Sequence, residues 1–227
     1  MPVITMLSPK GGVGKTTTAL LLSTELASDG AKVTIIDADP NFPIAKWAEM
    51  EGRPDNINVV KEIDEEDIVN TISEANKRAD FVIVDLEGRA SARATNALMM
   101  SHLALVPIQG SALDANEAAR AFKSVKSVAT IRQRPLPFAV VLTRTPASVK
   151  LYARDLKIVI SNLADAKIPV VATALAERGA FRALFSFGGT LADMSGADVG
   201  SLDSARANAA AFKHDVLALL VEKGTAA

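Results

Sequence analysis

The stretch from residue 3 to residue 30 constrains the fold of this chain more than any other. A short apolar run, 3–7, leads through Ser8 and Pro9 into Lys10-Gly11-Gly12-Val13-Gly14-Lys15-Thr16-Thr17. A helix-like run then continues to Ser28, and Gly30 stands where a helix is ended by a left-handed residue. Strand, glycine-rich turn and helix in that order make a phosphate-binding unit. The general pattern is G-x-x-x-x-G-K-[ST], and Gly14, Lys15 and Thr16 fill its right-hand end. The left-hand glycine is replaced by Pro9, so this is a variant of the loop, with a second lysine, Lys10, at its entry.

The residue types follow from the chemistry. Glycines let backbone N–H groups converge on phosphate oxygens, and the helix N-terminus adds partial positive charge at the same point. Lys15 would neutralise the β- and γ-phosphates, and the Thr16 hydroxyl would ligate Mg²⁺. Pro9 has no N–H to donate, but it can fix the entry angle of the chain. A ligand-free glycine turn is the competing explanation. The specified run should arise by chance on the order of once in a million chains, from average residue usage.

Two further apolar runs end in acids. Val33-Thr34-Ile35-Ile36 enters Asp37-Ala38-Asp39-Pro40, and Phe81-Val82-Ile83-Val84 enters Asp85. A phosphate–Mg²⁺ site needs such an acid to hold the waters of the metal, which makes Asp85 the first candidate and Asp37 the second. In an extended Asp-Ala-Asp segment both carboxylates point to one side, so Asp39 can reach past the metal toward an attacking water. The alternative is that Asp37 and Asp39 cap the next helix; behind a phosphate loop the metal reading ranks first.

Along the whole chain, short β-branched runs (3–7, 33–36, 58–60, 81–84, 103–108, 138–143, 169–172) alternate with helical stretches (15–28, 44–51, 65–75, 92–101, 115–132, 149–164). The runs lack period-2 alternation, as strands buried on both faces do. The expectation is an α/β fold: a doubly wound, mostly parallel sheet with helices on both faces and ligands at the carboxyl ends of the strands. Residues 188–204, rich in Gly, Ser and Asp, read as a loop before a last helix over 205–222. With no repeat or linker, residues 1–227 are expected to form a single domain.

Composition narrows the function. Cysteine is absent, which removes disulfides, thiolate metal sites and iron–sulfur ligation by this chain, and suits a reducing cytosol. No apolar run approaches the ~20 residues of a membrane span, and aromatics, at 4%, are too sparse for a base-stacking surface. Net charge is −1, but it is unevenly spread. Residues 37–87 hold 5 Lys and Arg against 14 acids, while residues 120–182 hold 12 against 3. Such runs are often solvated helix faces; a basic half on a neutral chain also suits a polyanion. Arg178 and Arg182, spaced as one helical turn, are the candidates within it for DNA contact. Trp47 reads as packing, His102 and His214 as structural, and Phe181, Phe185 and Phe187 as core or dimer edge.

Together, Lys10-Gly-Gly-Val-Gly-Lys15-Thr-Thr, the Asp37-Ala-Asp39-Pro40 strand end and the Asp85 strand end resemble the ParA/MinD deviant-Walker P-loop ATPases. Leu105-Val-Pro-Ile-Gln109-Gly-Ser-Ala-Leu113-Asp114 is similar to the family segment after the fifth strand. Val141-Leu-Thr-Arg144 before a basic helix, and Glu177-Arg178 with Phe181, resemble the short ParF-like partition ATPases and the VirC-type ATPases that assist DNA transfer. The resemblance implies an ATP hydrolase, Mg²⁺-dependent, slow and partner-stimulated. In it Lys10 reaches the nucleotide of the other subunit in an ATP-sandwiched homodimer, Lys15 acts in cis, and Asp39 positions the water. Thr16, Asp37 and Asp85 belong to the magnesium site, and Lys10 to Thr17 bind the nucleotide. It further implies non-specific double-stranded DNA binding and release on hydrolysis, a ParB-like or other cargo adaptor, and a cytoplasmic, nucleoid-associated protein that drives plasmid or chromosome partition or positions a protein cargo.

There are departures. Asp85-Leu86-Glu87-Gly88 stands where Asp-x-Pro-Pro is common, and Asn41 where Gln is usual. No helix-turn-helix extension precedes the first strand, so self-repression is not expected. A MinD-like membrane-cycling role ranks below the DNA reading, because the end, Val221-Glu222-Lys223-Gly224-Thr225-Ala226-Ala227, is short and weakly basic. A DNA-transfer accessory ATPase is the other alternative.

Overall fold

The computed structural model describes residues 1–89, 91–196 and 199–224. The residues 225–227 on which part of the membrane argument rests lie outside them. Strands β1 (Val3–Met6), β2 (Val33–Ala38), β3 (Ile57–Lys61), β4 (Phe81–Leu86), β5 (Leu103–Ile108), β6 (Phe138–Thr145) and β7 (Leu175–Ala176) form one sheet in the order β3-β2-β4-β1-β5-β6-β7. All six pairings between neighbouring strands are parallel. The expected doubly wound architecture is therefore present.

Helices cover both faces, and the strands divide their side chains between them. On one side Ile4, Met6, Ile35, Leu103 and Leu105 pack with α1 (Lys15–Ser28), α2 (Pro43–Ala48), α7 (Gly179–Phe187) and α8 (Leu202–Gly224). On the other, Val3, Ile36, Val82, Val84, Ala104 and Val106 pack with α3 (Ile68–Asn76), α4 (Ala92–Met100), α5 (Ala112–Ile131) and α6 (Arg154–Asp165). Both alternating sets are apolar, which is why no period-2 pattern shows in the sequence. Trp47 is buried and donates from Nε1 to the Gly189 carbonyl at 3.0 Å; His102 accepts from the Val3 N–H at 3.1 Å. Both are structural.

Several boundaries differ from expectation. The α3 helix starts three residues late, because Asp64 Oδ1 accepts from the Glu66 N–H at 2.8 Å and holds that turn out of the helix. The run 149–164 divides into a 3₁₀ turn at Val149–Leu151 and α6. The strand expected at 169–172 is a single bridge, Val140 to Val170, and β7 lies further on. The α7 helix was not expected at all. Arg178 stands before it in extended conformation, so Arg178 and Arg182 do not form the one-turn helical pair that their spacing suggests.

Candidate nucleotide site

The β1 strand lies between β4 and β5, with β2 beyond β4, so the loops after β1, β2 and β4 open at the same edge. In register, Met6 pairs with Asp85 and Asp85 with Asp37. The loop before α1 bends through Gly12 at φ 74° and Gly14 at φ 93°, where a side chain would be strained. Three points hold it. Lys15 Nζ donates to the Lys10 carbonyl at 3.1 Å, and Gln109 Nε2 to the Gly12 carbonyl at 3.0 Å. The Thr143 hydroxyl lies 2.7 Å from the Val13 carbonyl and 2.9 Å from that of Ile108, sharing one proton between them. The loop is thus pinned by side chains from β6 and from the end of β5.

Two cavities adjoin here. One, about 210 Å³, is lined by the loop from Gly11 to Thr17 together with Asp39, Gly88 and Arg144. The second, about 180 Å³, is bounded by Thr17, Thr143, Arg144, Leu175, Glu177 and Phe181, with Arg178 and Arg182 also on its wall. Gly14, Thr17 and Arg144 belong to both. Arg144 has φ 50°, a left-handed conformation costly for arginine, at the point where the β6–β7 register shifts. Backbone strain of this kind marks the junction of the cavities. A polar cavity on a glycine loop beside a half-apolar one matches the phosphates and base of a nucleotide.

The acids divide their duties. Asp37 Oδ2 accepts from the N–H groups of Ile44 and Ala45, each at 2.9 Å, and so caps the start of α2. The capping role, which the sequence ranks second, is the one its hydrogen bonds occupy. Burial pushes the Asp37 carboxyl up, against the lowering effect of these bonds. Asp39, half-buried, accepts from the Asn41 N–H at 2.8 Å while lining the phosphate cavity.

Asp85 is fully buried, and neither of its oxygens has a hydrogen-bond partner, although the Thr16 hydroxyl is near enough to favour its ionised form. Burial pushes its pKa up to about 7. An orphaned buried carboxylate beside a loop threonine fits a hydrated divalent cation. Lys15 is held below its usual value by burial, offset by Asp85, Asp39 and Glu87. Among the described residues no group of three or more His, Cys, Asp or Glu could hold a metal ion.

The raised pKa of Asp85 has a measurable consequence. The folded protein keeps this proton up to about pH 7, whereas an unfolded aspartate releases it near 3.8. Stability from this group is complete below the unfolded value and is lost as pH rises through about 7. Asp85→Asn should therefore raise the thermal midpoint of the nucleotide-free protein near pH 8, by several degrees if ~2 kcal/mol is recovered. Scanning calorimetry from about pH 5 to 8 checks this; a wild-type midpoint independent of pH would contradict it.

A family model described as VirC1 protein matches residues 1–223. The chain belongs to the VirC1 family. It is 35% identical over 222 residues to Protein ParA of Rhizobium radiobacter, covering 98% of this chain and 99% of that protein. Protein virC1 of Rhizobium rhizogenes is 30% identical over 190 residues, 81% of this chain and 80% of its own length. Among solved structures, apo McdA of Cyanothece superposes with a TM-score of 0.77 at 17% identity, covering 95% of this chain and 99% of that one. This VirC1-family chain is thus a ParA/MinD-type P-loop ATPase by family and fold.

Parts of the site escape a reading of the sequence. Thr143, Gln109 and Arg144 come to the loop from β5 and β6, about a hundred residues away in sequence. Gly88 is required by close approach: a Cβ there would lie 2.7 Å from the Gly11 nitrogen and 2.9 Å from the Lys10 carbonyl carbon. The loop after Asp85 therefore rests directly on the peptide that follows Lys10. A single glycine, Gly88, between β4 and α4 is the signal that the sequence offers for this contact.

Proposed function

We propose that this VirC1-family chain binds ATP with Mg²⁺ as one domain, pairs with a second copy across two nucleotides, holds DNA non-specifically in that state and releases it on hydrolysis. The single observation that carries this reading is the pair of adjoining cavities meeting at Arg144, one on a glycine loop entered by a second lysine. The phosphates lie along Gly11 to Thr17, with Lys15 as the cis cation and Thr16 and Asp85 holding the magnesium. Bound Mg²⁺ would neutralise charge developing on the phosphates. Asp39 orients the attacking water, and Lys10 acts on the nucleotide of the partner subunit. Asp37 keeps Asp39 in place from its capping position.

The basic segment divides by location. Arg144, Arg178 and Arg182 line the two cavities, where they would serve the nucleotide, and Arg182 donates to Glu177 at 3.1 Å. Arg132 is tied to the carbonyls of Leu98 and Ser101 at 3.2 and 2.7 Å. Of the remaining exposed cations, Arg120, Lys123 and Lys126 on α5 and Arg154 and Lys157 on α6 occupy two packed neighbouring helices far along the sheet from the acidic β2–β3 half, with Arg134, Lys150 and Lys167 in the segments that flank them. They make the DNA face. No helix among the described residues is long and apolar enough to cross a membrane, and the reading places the protein on the nucleoid in the cytoplasm. The cargo in this proposal is DNA, a plasmid for partition or DNA for transfer, presented by an activating adaptor.

Retention on non-specific duplex DNA should be strong with ATP and Mg²⁺ and weak with ADP. Its affinity should fall by about 0.9 log units per phosphate contact for each log unit of salt. Fluorescence anisotropy over a salt series measures both. Equal retention with ATP and ADP would overturn the switch, and ATP-dependent binding to anionic liposomes without DNA binding would replace it with a membrane-cycling role.

A further inference from the structure

The peptide joining Ala38 to Asp39 is held from more than one side. Its N–H faces Asp37 Oδ1 at 3.4 Å, and Asp37 is itself anchored by the α2 backbone. The carboxylate of Asp39 is turned by the Asn41 N–H. These contacts all lie within the 37–45 turn. The Ala38 carbonyl, by contrast, accepts from Arg93 Nη1 at 2.8 Å, and Arg93 belongs to α4 on the other side of β4.

Arg93 is buried, at 7% exposure, and its Nε has no hydrogen-bond partner among the described residues. Burying a guanidinium with a donor unsatisfied costs stability that a leucine or methionine of similar volume would not. Packing alone therefore gives no reason for an arginine here. Its position supplies one. The N-cap of α4 is Ser91, whose Oγ accepts from the Ala94 N–H at 3.2 Å, so Arg93 sits in the first turn of the helix. That turn follows the loop in which Gly88 rests on the peptide after Lys10.

We propose that Arg93 is a positioning residue, tying the start of α4 to the peptide that carries Asp39. Displacement of the loop after Asp85 is thereby passed to the carboxylate that orients the water. The inference rests on the reading of Asp39 given above. Arg93 lines neither of the two cavities, so its removal should act on turnover and leave substrate binding alone.

Steady-state ATP hydrolysis by the full chain, with ATP and Mg²⁺ as the probe, compares wild type, Arg93→Met, Arg93→Lys and Asp39→Ala. Thermal midpoints are taken in parallel. Arg93→Met should lower kcat by about 10- to 100-fold with KM for ATP within about twofold of wild type, as expected from a displacement of about 1 Å at the reacting centre. Arg93→Lys, which keeps one charged donor for the Ala38 carbonyl, should recover most of that loss. Wild-type kcat in Arg93→Met alongside an inactive Asp39→Ala would overturn the proposal and leave the role of Asp39 standing. Parallel loss of kcat, ATP affinity and thermal midpoint, unrescued by Arg93→Lys, would reduce Arg93 to packing and also overturn it. Wild-type turnover in Asp39→Ala would remove the role of Asp39 and the proposal with it.

Discussion

Asp39→Ala should lower ATP turnover by roughly 10²–10⁴-fold, the range for loss of a positioned acid–base group, while the protein still binds ATP. The carboxylate lines the phosphate cavity, and one of its oxygens is fixed by Asn41. Alanine removes the group that would hold a water in line but leaves every contact that holds the loop: Lys15 to Lys10, Gln109 to Gly12 and Thr143 to Val13. It also removes a negative charge from the cavity that the phosphates would enter. Binding and hydrolysis should therefore separate. With ATP and Mg²⁺ the variant should accumulate as a dimer that stays on DNA after dilution, whereas wild type should fall off as it hydrolyses. Mass photometry and a dilution chase from labelled duplex measure the two properties. Wild-type turnover in the variant, or dissociation at the wild-type rate, would remove Asp39 from the hydrolytic step.

The parts of this site that the sequence reveals are those built within one strand–loop–helix unit. Glycines at positive φ, a lysine and a threonine must follow β1 closely for the loop to form at all, so their spacing is fixed and readable. The apolar runs of the central strands are equally legible, because burial on both faces demands continuous hydrophobicity. What is hidden depends on chain segments meeting from a distance. Thr143 has an unremarkable place at the end of a strand, and only the sheet order brings its hydroxyl to the Val13 carbonyl.

The duty of Asp37 depends on where α2 begins, which is set by Phe42 in a left-handed conformation that no local rule anticipates. β7 has two residues, too few for any periodicity to register. The apolar spacing of Ala180, Phe181, Ala183 and Leu184 does carry a helical signal for α7, and all four are buried. It is obscured because a charged pair, Glu177-Arg178, precedes it without the usual capping side chain, and Arg178 makes no cap bond.

The role of Lys10 can be tested without a structure of the dimer. If its charge acts on the partner's nucleotide, Lys10→Ala and Asp39→Ala subunits are each inactive alone but complement each other when mixed. In a mixed pair, the site on the Lys10→Ala subunit retains its own Asp39 and receives Lys10 from the other subunit. The opposite site lacks both groups and stays silent. When the subunits are mixed at equal concentrations before ATP is added, random pairing makes about half of the dimers mixed, with one competent site in two, so the initial activity should return to roughly a quarter of wild type. Against a background lowered by about 10³-fold or more, the range for a trans-acting charge, that recovery is unmistakable in a steady-state phosphate-release assay. A lysine working in cis gives no recovery at any mixing ratio, because every subunit then lacks one essential group. The position of Gly88 sharpens the test: its close approach to the Lys10–Gly11 peptide makes the loop after Asp85 part of what sets the lysine's reach. Adding Gly88→Ala to the Asp39→Ala subunit, the one that donates Lys10, should abolish the recovery; adding it to the Lys10→Ala subunit should spare the trans contribution.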